Sequence, residues 1–198
     1  MDIHILGGFL GAGKTTLLMK LVSMYSEMGK KVSIIVNEAG SIGVDGTTIK
    51  GKGYNAVELP QGCICCTLVG ALQESLVQVV NDYHPDILII EPTGLALPDK
   101  VEESVELIKG RFITYDRMDI VGILDAPRFD IFIEKKKDFY IKQLAGSDII
   151  AVNKKDLVPQ EKIDSITKWV NEEFPGVRVV PMCATTGEGV KEVFEVLG

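Results

Sequence analysis

The sequence predicts an α/β protein with a doubly wound, mostly parallel sheet that carries helices on both faces. Three observations predict this fold: short β-rich runs alternate with amphipathic helical stretches, several of these runs are apolar at nearly every position, and the first run leads directly into a glycine-rich loop. Strands that alternate with helices form βαβ units, and strands that are apolar on both faces are typical of a parallel sheet covered by helices. Ligands bind such sheets at the carboxyl ends of the strands, so every motif that directly follows a strand is expected at one edge.

The chain has 198 residues, the size of one domain, and it contains no internal repeat or linker. We therefore expect a single domain over residues 1–198, with a cysteine-containing loop inserted in it. The predicted strands are, in chain order, Ile3–Leu6, Val32–Asn37, Ala56–Leu59, Ile87–Ile90, Ile120–Leu124, Ile149–Val152 and Arg178–Pro181. Helical periodicity is found near 14–28, 67–81, 99–109, 128–144, 160–173 and 188–197.

Charge and composition exclude several classes of function. The net charge of −7 argues against nucleic acid or an anionic membrane as the main partner, because both bind basic surfaces. The sequence does not begin with a charged and apolar leader, and its apolar runs are too short to span a membrane, so we expect a cytoplasmic protein. In a reducing compartment the four cysteines are expected to be metal ligands, reactive thiols or core residues rather than disulfides.

A phosphate-binding loop is predicted after the first strand, where Gly8 to Thr15 fits G-x-x-x-x-G-K-[ST] between a strand and a helix. Glycines let backbone N–H groups turn toward phosphate oxygens, and the start of the next helix adds its dipole. Lys14 is expected to reach the β- and γ-phosphates, and Thr15 to ligate Mg²⁺. The candidate nucleotide-binding residues of this segment are Gly8, Gly11, Ala12, Gly13, Lys14, Thr15 and Thr16.

The strand Ile149–Val152 is followed by Asn153-Lys154-Lys155-Asp156, which fits the guanine-reading motif N-K-x-D. The Asp156 carboxylate would accept hydrogen bonds from N1–H and the exocyclic amine of guanine, whereas adenine has no donor at N1. Asn153 is expected to tie this segment to the base and to the phosphate loop, and Lys154 belongs to the same candidate set. The last strand ends in Cys183-Ala184-Thr185, where a backbone N–H would meet guanine O6, and Cys183 is expected to be small and buried rather than a ligand.

The apolar strand Ile87–Ile90 runs into Glu91-Pro92-Thr93-Gly94, an E-x-x-G segment. The Gly94 N–H would sense the γ-phosphate, and Glu91 would hold a water bound to Mg²⁺. The alternative for this segment is a strand followed by a plain proline turn.

Cys63, Cys65 and Cys66 lie within four residues, between a predicted strand and a helix, and are expected at the nucleotide edge of the sheet. Clustered thiolates select soft or borderline ions such as Zn²⁺, Co²⁺ or Cu⁺, and three ligands leave a fourth position open. Which two cysteines share one ion is open, because adjacent side chains diverge unless the backbone turns sharply. The alternative is a buried turn of small residues with one redox-active thiol.

Further ligands are sought among the other polar side chains. Glu38, which follows the second strand, is the better additional ligand and a catalytic candidate beside Lys14 and Glu91; a solvated loop carboxylate is the alternative. Asp45 in the next loop is a second candidate for Mg²⁺. Both histidines are poor candidates, since His4 lies inside the first strand and His84 precedes the strand at Ile87–Ile90.

The segments GGFLGAGKTTLL, VNEAG, GCICCT, EPTG and NKKD, in this order, resemble the CobW-like metallochaperone GTPases, which are relatives of the nickel-handling HypB and UreG proteins. The resemblance covers the whole chain, and the C-x-C-C placement is its most specific element. It implies a GTPase cycle coupled to loading or release of a divalent metal, often zinc or cobalt. Many members continue into a C-terminal domain with a histidine-rich stretch, whereas this sequence has two histidines and stops after its last helix.

The sequence therefore favours a GTP-hydrolysing metal chaperone that uses GTP or GDP, Mg²⁺, and Zn²⁺ or Co²⁺. Its expected partner is a metal-receiving client protein or cofactor enzyme, and a nucleotide-dependent homodimer is compatible with this interpretation. Two alternatives stay open: a GTPase that gates corrinoid or other cofactor loading, with a structural metal, and a metal sensor or buffer that binds GTP with little turnover. Intrinsic hydrolysis is expected to be slow, because none of the four arginines lies in the phosphate loop or in E-x-x-G, and no glutamine follows Gly94 directly.

Overall fold

The structure is a computed structural model that describes residues 1–36, 54–58, 67–92 and 96–198, with the backbone alone at 54–58 and 67–69. The strands are β1 Asp2–Gly8, β2 Val32–Val36, β3 Tyr54–Glu58, β4 Ile87–Glu91, β5 Arg117–Asp125, β6 Ile149–Asn153 and β7 Arg178–Pro181. The helices are α1 Lys14–Glu27, α2 Thr67–Tyr83, α3 Pro98–Glu106, α4 Phe129–Leu144, α5 Gln160–Glu173 and α6 Val190–Leu197. From β3 onward strands and helices alternate along the described residues, as the sequence predicts, and β1 and β2 are joined by a helix as well.

In the part of the chain that the structure describes, the strands form one parallel sheet in the order β3-β2-β4-β1-β5-β6-β7. The order reverses direction at β1, which lies between β4 and β5. Since all pairs are parallel, the carboxyl ends of these strands meet at one edge, which confirms the predicted fold class. The phosphate loop leaves the centre of this edge, the position at which doubly wound sheets bind ligands.

Each strand sends alternate side chains into opposite layers of the core. In β4, for example, Ile87 and Ile89 pack in the layer that holds α1 and α6, whereas Leu88 and Ile90 pack in the layer that holds α2 and α3. A third apolar cluster joins β5 and β6 to α4 and α5. Burial on both faces explains why these strands read as nearly continuous apolar runs.

β5 differs from its predicted bounds, since it begins at Arg117 rather than at Ile120. The added residues are polar at Arg117 and Asp119, and Asp119 is nevertheless buried. Its carboxylate lies 3.3 Å from His4 Nδ1 and 2.8 Å from the Arg117 guanidinium. A strand start made of paired charges gives no apolar signal, so the sequence pattern places the boundary too late.

The two histidines lie away from the nucleotide edge. His4 is fully buried and its Nε2 lies 2.8 Å from the Tyr25 hydroxyl, so it is a core residue with a polar partner. His84 directly follows α2 and precedes β4, at the amino ends of the strands. None of the helices described in the structure is long and apolar enough to cross a membrane.

Candidate nucleotide-binding site

The phosphate loop runs from the end of β1 at Gly8 to the start of α1 at Lys14. Phe9 anchors it, since its ring stacks on Phe132 of α4 at a centroid distance of 4.4 Å and is almost fully buried. The next side chain, Leu10, is 70% exposed, so the loop alternates between a residue fixed in the core and one that faces outward. This anchoring by α4 is not visible in the glycine-rich motif.

Lys14 lies in the concavity of the loop. Its side chain is buried, and Nζ donates hydrogen bonds to the carbonyl oxygens of Gly8 at 3.0 Å and Phe9 at 3.3 Å. The ammonium group is thus held at the first turn of α1, beside the helix N-terminus that favours phosphate. The structure places Lys14 where the motif predicts it, and its contact with phosphate stays a prediction.

Asn153 joins the N-K-K-D segment to the phosphate loop. Its Nδ2 donates to the Ala12 carbonyl at 2.7 Å, and its Oδ1 accepts a hydrogen bond from the Ala184 backbone N–H at 2.9 Å. Gly13 is required for this contact, because its φ is +101° and a Cβ atom there would lie 2.2 Å from Asn153 Nδ2. One buried side chain therefore fixes the spacing between the loop for phosphate and the two segments expected to bind the base.

The N-K-K-D segment runs from the buried Asn153 to the solvent-exposed Asp156. Asp156 is exposed in a short turn at Lys155–Leu157, and this turn is held by a hydrogen bond from the Lys155 N–H to the Met182 carbonyl. Cys183 is 2% exposed, in keeping with a small core residue rather than a ligand. The Ala184 N–H, one of the backbone donors of the Cys183-Ala184-Thr185 segment, is engaged by Asn153 Oδ1.

Thr15 and Glu91 come from different elements and meet at the same edge. The Thr15 hydroxyl donates to Glu91 Oε1 at 2.8 Å, and the Glu91 side chain is nearly buried at the end of β4. A hydroxyl and a carboxylate are hard oxygen donors of the kind that Mg²⁺ selects. Thr16, the next residue of α1, is exposed.

Two residues that fit no sequence motif, Asp125 and Arg128, form a cluster with Lys154 against the phosphate loop. Asp125 is buried at the end of β5, and its carboxylate accepts hydrogen bonds from Lys154 Nζ at 2.6 Å and Arg128 Nε at 2.8 Å. Burial alone would raise the pKa of this carboxyl, but the hydrogen bonds and charges of Lys154 and Arg128 outweigh it and hold the pKa below its ordinary value.

Both cations of this cluster also reach the loop. Arg128 Nη2 donates to the Leu10 carbonyl at 2.8 Å, and Lys154 Nζ donates to the Gly11 carbonyl at 2.7 Å. The signal that could have revealed Asp125 was present in the sequence, since it directly follows a predicted strand and so belongs to the nucleotide edge. It was missed because Asp-Ala-Pro-Arg fits no phosphate or base motif.

Several predicted site residues lie outside the described residues, so their roles stay predictions. They are Glu38, Asp45, Cys63, Cys65, Cys66 and Gly94. Within the described residues, no group of three or more His, Cys, Asp or Glu side chains is arranged to hold a metal ion. The strands that precede two of these segments are described. β2, which precedes Glu38, ends at Val36, and β3, which precedes the three cysteines, ends at Glu58, both at the nucleotide edge.

A parallel sheet whose central strand leads into this glycine-rich loop, with Asn153 linking the loop to an N-K-K-D segment, defines a P-loop nucleotide-binding domain. The chain belongs to the CobW/HypB/UreG family, whose nucleotide-binding domain matches residues 2–181. The family resemblance seen in the sequence is thereby confirmed.

Two curated relatives and one solved structure illustrate the match. The chain is 30% identical to the zinc chaperone CobW of Sinorhizobium sp. over 84% of its own length and 54% of the relative's. It is 32% identical to the zinc chaperone YeiR of Escherichia coli K12 over 84% of its own length and 50% of the relative's. The chain therefore spans about half the length of these relatives. The hydrogenase maturation factor HypB from Archaeoglobus fulgidus shares the fold, with a TM-score of 0.66 at 19% identity over 100% of this chain and 88% of HypB.

Proposed function

We propose that this chain is a GTP-hydrolysing metal chaperone that couples binding of a divalent metal, Zn²⁺ or Co²⁺, to its nucleotide cycle. The observation that carries the proposal is the strand order at the carboxyl edge, which brings the start of the predicted metal segments beside the nucleotide site. Relatives that match the chain over most of its length are zinc chaperones, which supports the same class of function.

The described contacts support nucleotide binding. Gly13 and Asn153 bring the phosphate loop and the N-K-K-D segment within one hydrogen bond of each other, so a single ligand with a base and a phosphate chain can bridge them. Asp156 would accept from guanine N1–H and the exocyclic amine. A site built to pair with such donors rejects a ligand that lacks them by roughly 10⁴–10⁵.

Magnesium fits the donor set at the end of β4. Thr15 and Glu91 would hold it, Thr15 as a direct ligand and Glu91 through a bound water, and the ion would neutralise charge on the β- and γ-phosphates. Lys14 would stabilise the same charge from the first turn of α1. The Glu91 carboxylate is oriented by the hydrogen bond that it accepts from the Thr15 hydroxyl.

The strand register supports a coupling between the nucleotide site and the predicted metal site. Val36, the last residue of β2, pairs with Glu91 of β4 on one side and with Glu58 of β3 on the other. The segment that contains Glu38 therefore leaves the sheet between the magnesium candidate Glu91 and the strand that leads to Cys63, Cys65 and Cys66. In the proposed cycle, GTP and Mg²⁺ order residues 38–50 and bring Glu38 toward the cysteines, and hydrolysis releases that segment and weakens the metal site.

The experiment is a competition titration of Zn²⁺ and Co²⁺ with a chromophoric chelator, on the chain loaded with GDP or with a non-hydrolysable GTP analogue. We expect one tightly bound ion per chain and an affinity about 5–150-fold higher in the GTP state, the usual range for linked sites. Metal affinity should decrease as the pH is lowered, because each thiol loses a proton on binding. Equal affinity in the two nucleotide states would overturn the chaperone cycle and leave a structural metal or a metal buffer.

The matched variants separate the two sites. Replacing Cys63, Cys65 and Cys66 together by serine should abolish metal binding and leave GDP affinity nearly unchanged. Cys183→Ala is the control, because Cys183 is buried just after β7, at the opposite end of the strand order from β3, and its loss should leave metal stoichiometry at one. Unchanged metal binding by the triple serine variant would place the metal at other ligands.

A further inference from the structure

Three successive peptide groups of the phosphate loop are held by side chains from outside it. The Leu10 carbonyl accepts from Arg128, the Gly11 carbonyl accepts from Lys154, and the Ala12 carbonyl accepts from Asn153, at 2.8, 2.7 and 2.7 Å. Arg128 belongs to no motif of the nucleotide site. It follows β5, the neighbour of β1.

The carbonyl contacts determine where the loop N–H groups point. The peptide bonds of the described chain are trans, so each C=O and the next N–H point in opposite directions. A Leu10 carbonyl turned toward Arg128 therefore turns the Gly11 N–H to the opposite side, and the Ala12 carbonyl does the same for the Gly13 N–H. The N–H between them, that of Ala12, donates to the Phe9 carbonyl at 3.1 Å inside the loop.

Arg128 is held in this position by the Asp125 carboxylate and the Phe132 ring. Its Nη2 and Nε lie 2.7 and 2.8 Å from Asp125 Oδ2, and its guanidinium carbon lies 5.2 Å from the ring centre of Phe132, which also stacks on Phe9. A Cβ atom on Gly11 would lie 3.2 Å from Nη2, so the guanidinium packs directly against the loop. The planar guanidinium carries several N–H donors in a fixed arrangement, so it can bind a carboxylate and a carbonyl at the same time. The ammonium group of a lysine at this position could not do this as well.

We infer that Arg128 is a positioning residue for the phosphate site: anchored on Asp125, it turns the Leu10–Gly11 peptide so that the Gly11 N–H faces the phosphate of a bound nucleotide. The inference rests on the proposed nucleotide binding and deepens it. Asp125 also holds Lys154 of the N-K-K-D segment, so one buried carboxylate orients two cations on two adjacent carbonyls of the loop.

A purely structural role for Arg128 makes a different prediction. Asp125 Oδ1 accepts from the Arg128 backbone N–H at 3.2 Å and so caps the short turn Ala126–Arg128, and this bond does not need the side chain. Arg128→Ala therefore keeps the cap and removes the grip on Leu10. If Arg128 were only structural, truncating its side chain would lower the stability of the fold and weaken the binding of every nucleotide by the same factor.

The test compares affinities for GDP and GMP, measured by calorimetric titration with Mg²⁺, for the wild type, Arg128→Ala, Arg128→Lys and the control Arg111→Ala. Arg111 lies over Phe112 between α3 and β5, at the amino edge of the sheet. The β-phosphate is the group that the loop encloses, so Arg128→Ala should weaken GDP binding about tenfold or more, the usual cost of a hydrogen bond from a charged group, and weaken GMP binding less than about threefold. Arg128→Lys should fall between, and Arg111→Ala should match the wild type.

The outcomes separate this inference from the proposed function. A wild type that binds neither nucleotide would refute the proposed function. A wild type that binds GDP while Arg128→Ala loses the same factor for GDP and GMP, or loses nothing, would overturn the role of Arg128. Asp125→Asn, combined with Arg128→Ala in a double-mutant cycle, gives an independent check: the two losses in GDP affinity should be strongly non-additive if Arg128 acts from Asp125, and additivity would refute that anchor.

Discussion

The Thr15 hydroxyl donates a 2.8 Å hydrogen bond to Glu91 Oε1 across 76 positions of sequence. Thr15 belongs to the first turn of α1 and Glu91 to the last position of β4, so the bond joins the phosphate loop to the neighbouring strand end. In the proposed site the Thr15 hydroxyl oxygen would bind Mg²⁺ directly, and Glu91 would hold a water bound to the ion. The hydrogen bond places these two side chains together at the edge where the ion would bind.

We expect Glu91→Gln to raise the Mg²⁺ concentration needed for half-maximal GTP hydrolysis by about tenfold or more, because the amide cannot accept from a metal-bound water with the strength of a charged carboxylate. GDP affinity measured without Mg²⁺ should change little. The measurement is phosphate release as a function of Mg²⁺ concentration. Glu172→Gln, an exposed substitution in the last turn of α5, should leave the curve unchanged. An unaltered Mg²⁺ dependence in Glu91→Gln would refute the assignment.

The sequence predicted that Lys14, Asn153 and Glu91 lie at one edge, because Asn153 and Glu91 directly follow predicted strands and Lys14 ends the loop that follows the first strand. What it could not predict was the set of side chains that fix the loop from outside. Phe9 stacks on α4 only because the helix packs over the β1–β5 pair, and such tertiary packing leaves no periodic signal. Asp125 and Arg128 lay within reach of the same rule, but a carboxylate and a guanidinium three residues apart indicate an ion pair in many contexts.

Asp156 should decide which base is bound. We expect GTP and GDP to bind at least about a hundredfold more tightly than ATP and ADP, since adenine would leave the Asp156 carboxylate without the donors it needs. Asp156→Asn should relax this preference, mostly through weaker binding of guanine nucleotides. Direct titration with all four nucleotides measures it, and Asp138→Asn on the exposed face of α4 is the control. Equal affinity of the wild type for ATP and GTP would refute the guanine assignment.

Turnover by the isolated chain should be slow, below about one per minute, against a median near 10 per second for enzymes generally. Arg128, which does contact the phosphate loop, is bound to Asp125 and the Leu10 carbonyl and so stabilises the loop rather than the transferred phosphoryl group. An arginine supplied by a partner can add a factor of about 10³–10⁵. Phosphate release at several protein concentrations measures the rate. Fast turnover that does not depend on protein concentration would mean that the chain supplies a catalytic group other than those assigned to this site.

The charge state of Asp125 gives a prediction for stability against pH. Its pKa in the folded chain lies below the ordinary value of 3.8 because Lys154 and Arg128 favour the carboxylate over the effect of burial. A carboxyl with a lowered folded pKa stabilises the folded chain fully above its unfolded pKa, and this contribution is lost as pH falls through the folded pKa. The difference in unfolding free energy between the wild type and Asp125→Asn, from urea titrations, should therefore be constant between about pH 8 and pH 5 and shrink only below about pH 4.

At neutral pH we expect the variant to be less stable by about 1–3 kcal/mol, since both partner cations are partly exposed and water replaces part of the lost interaction. Asp138→Asn should show no such difference at any pH. A difference that already shrinks between pH 8 and pH 5 would mean that the folded pKa is raised, and it would contradict the arrangement of two cations on one buried carboxylate.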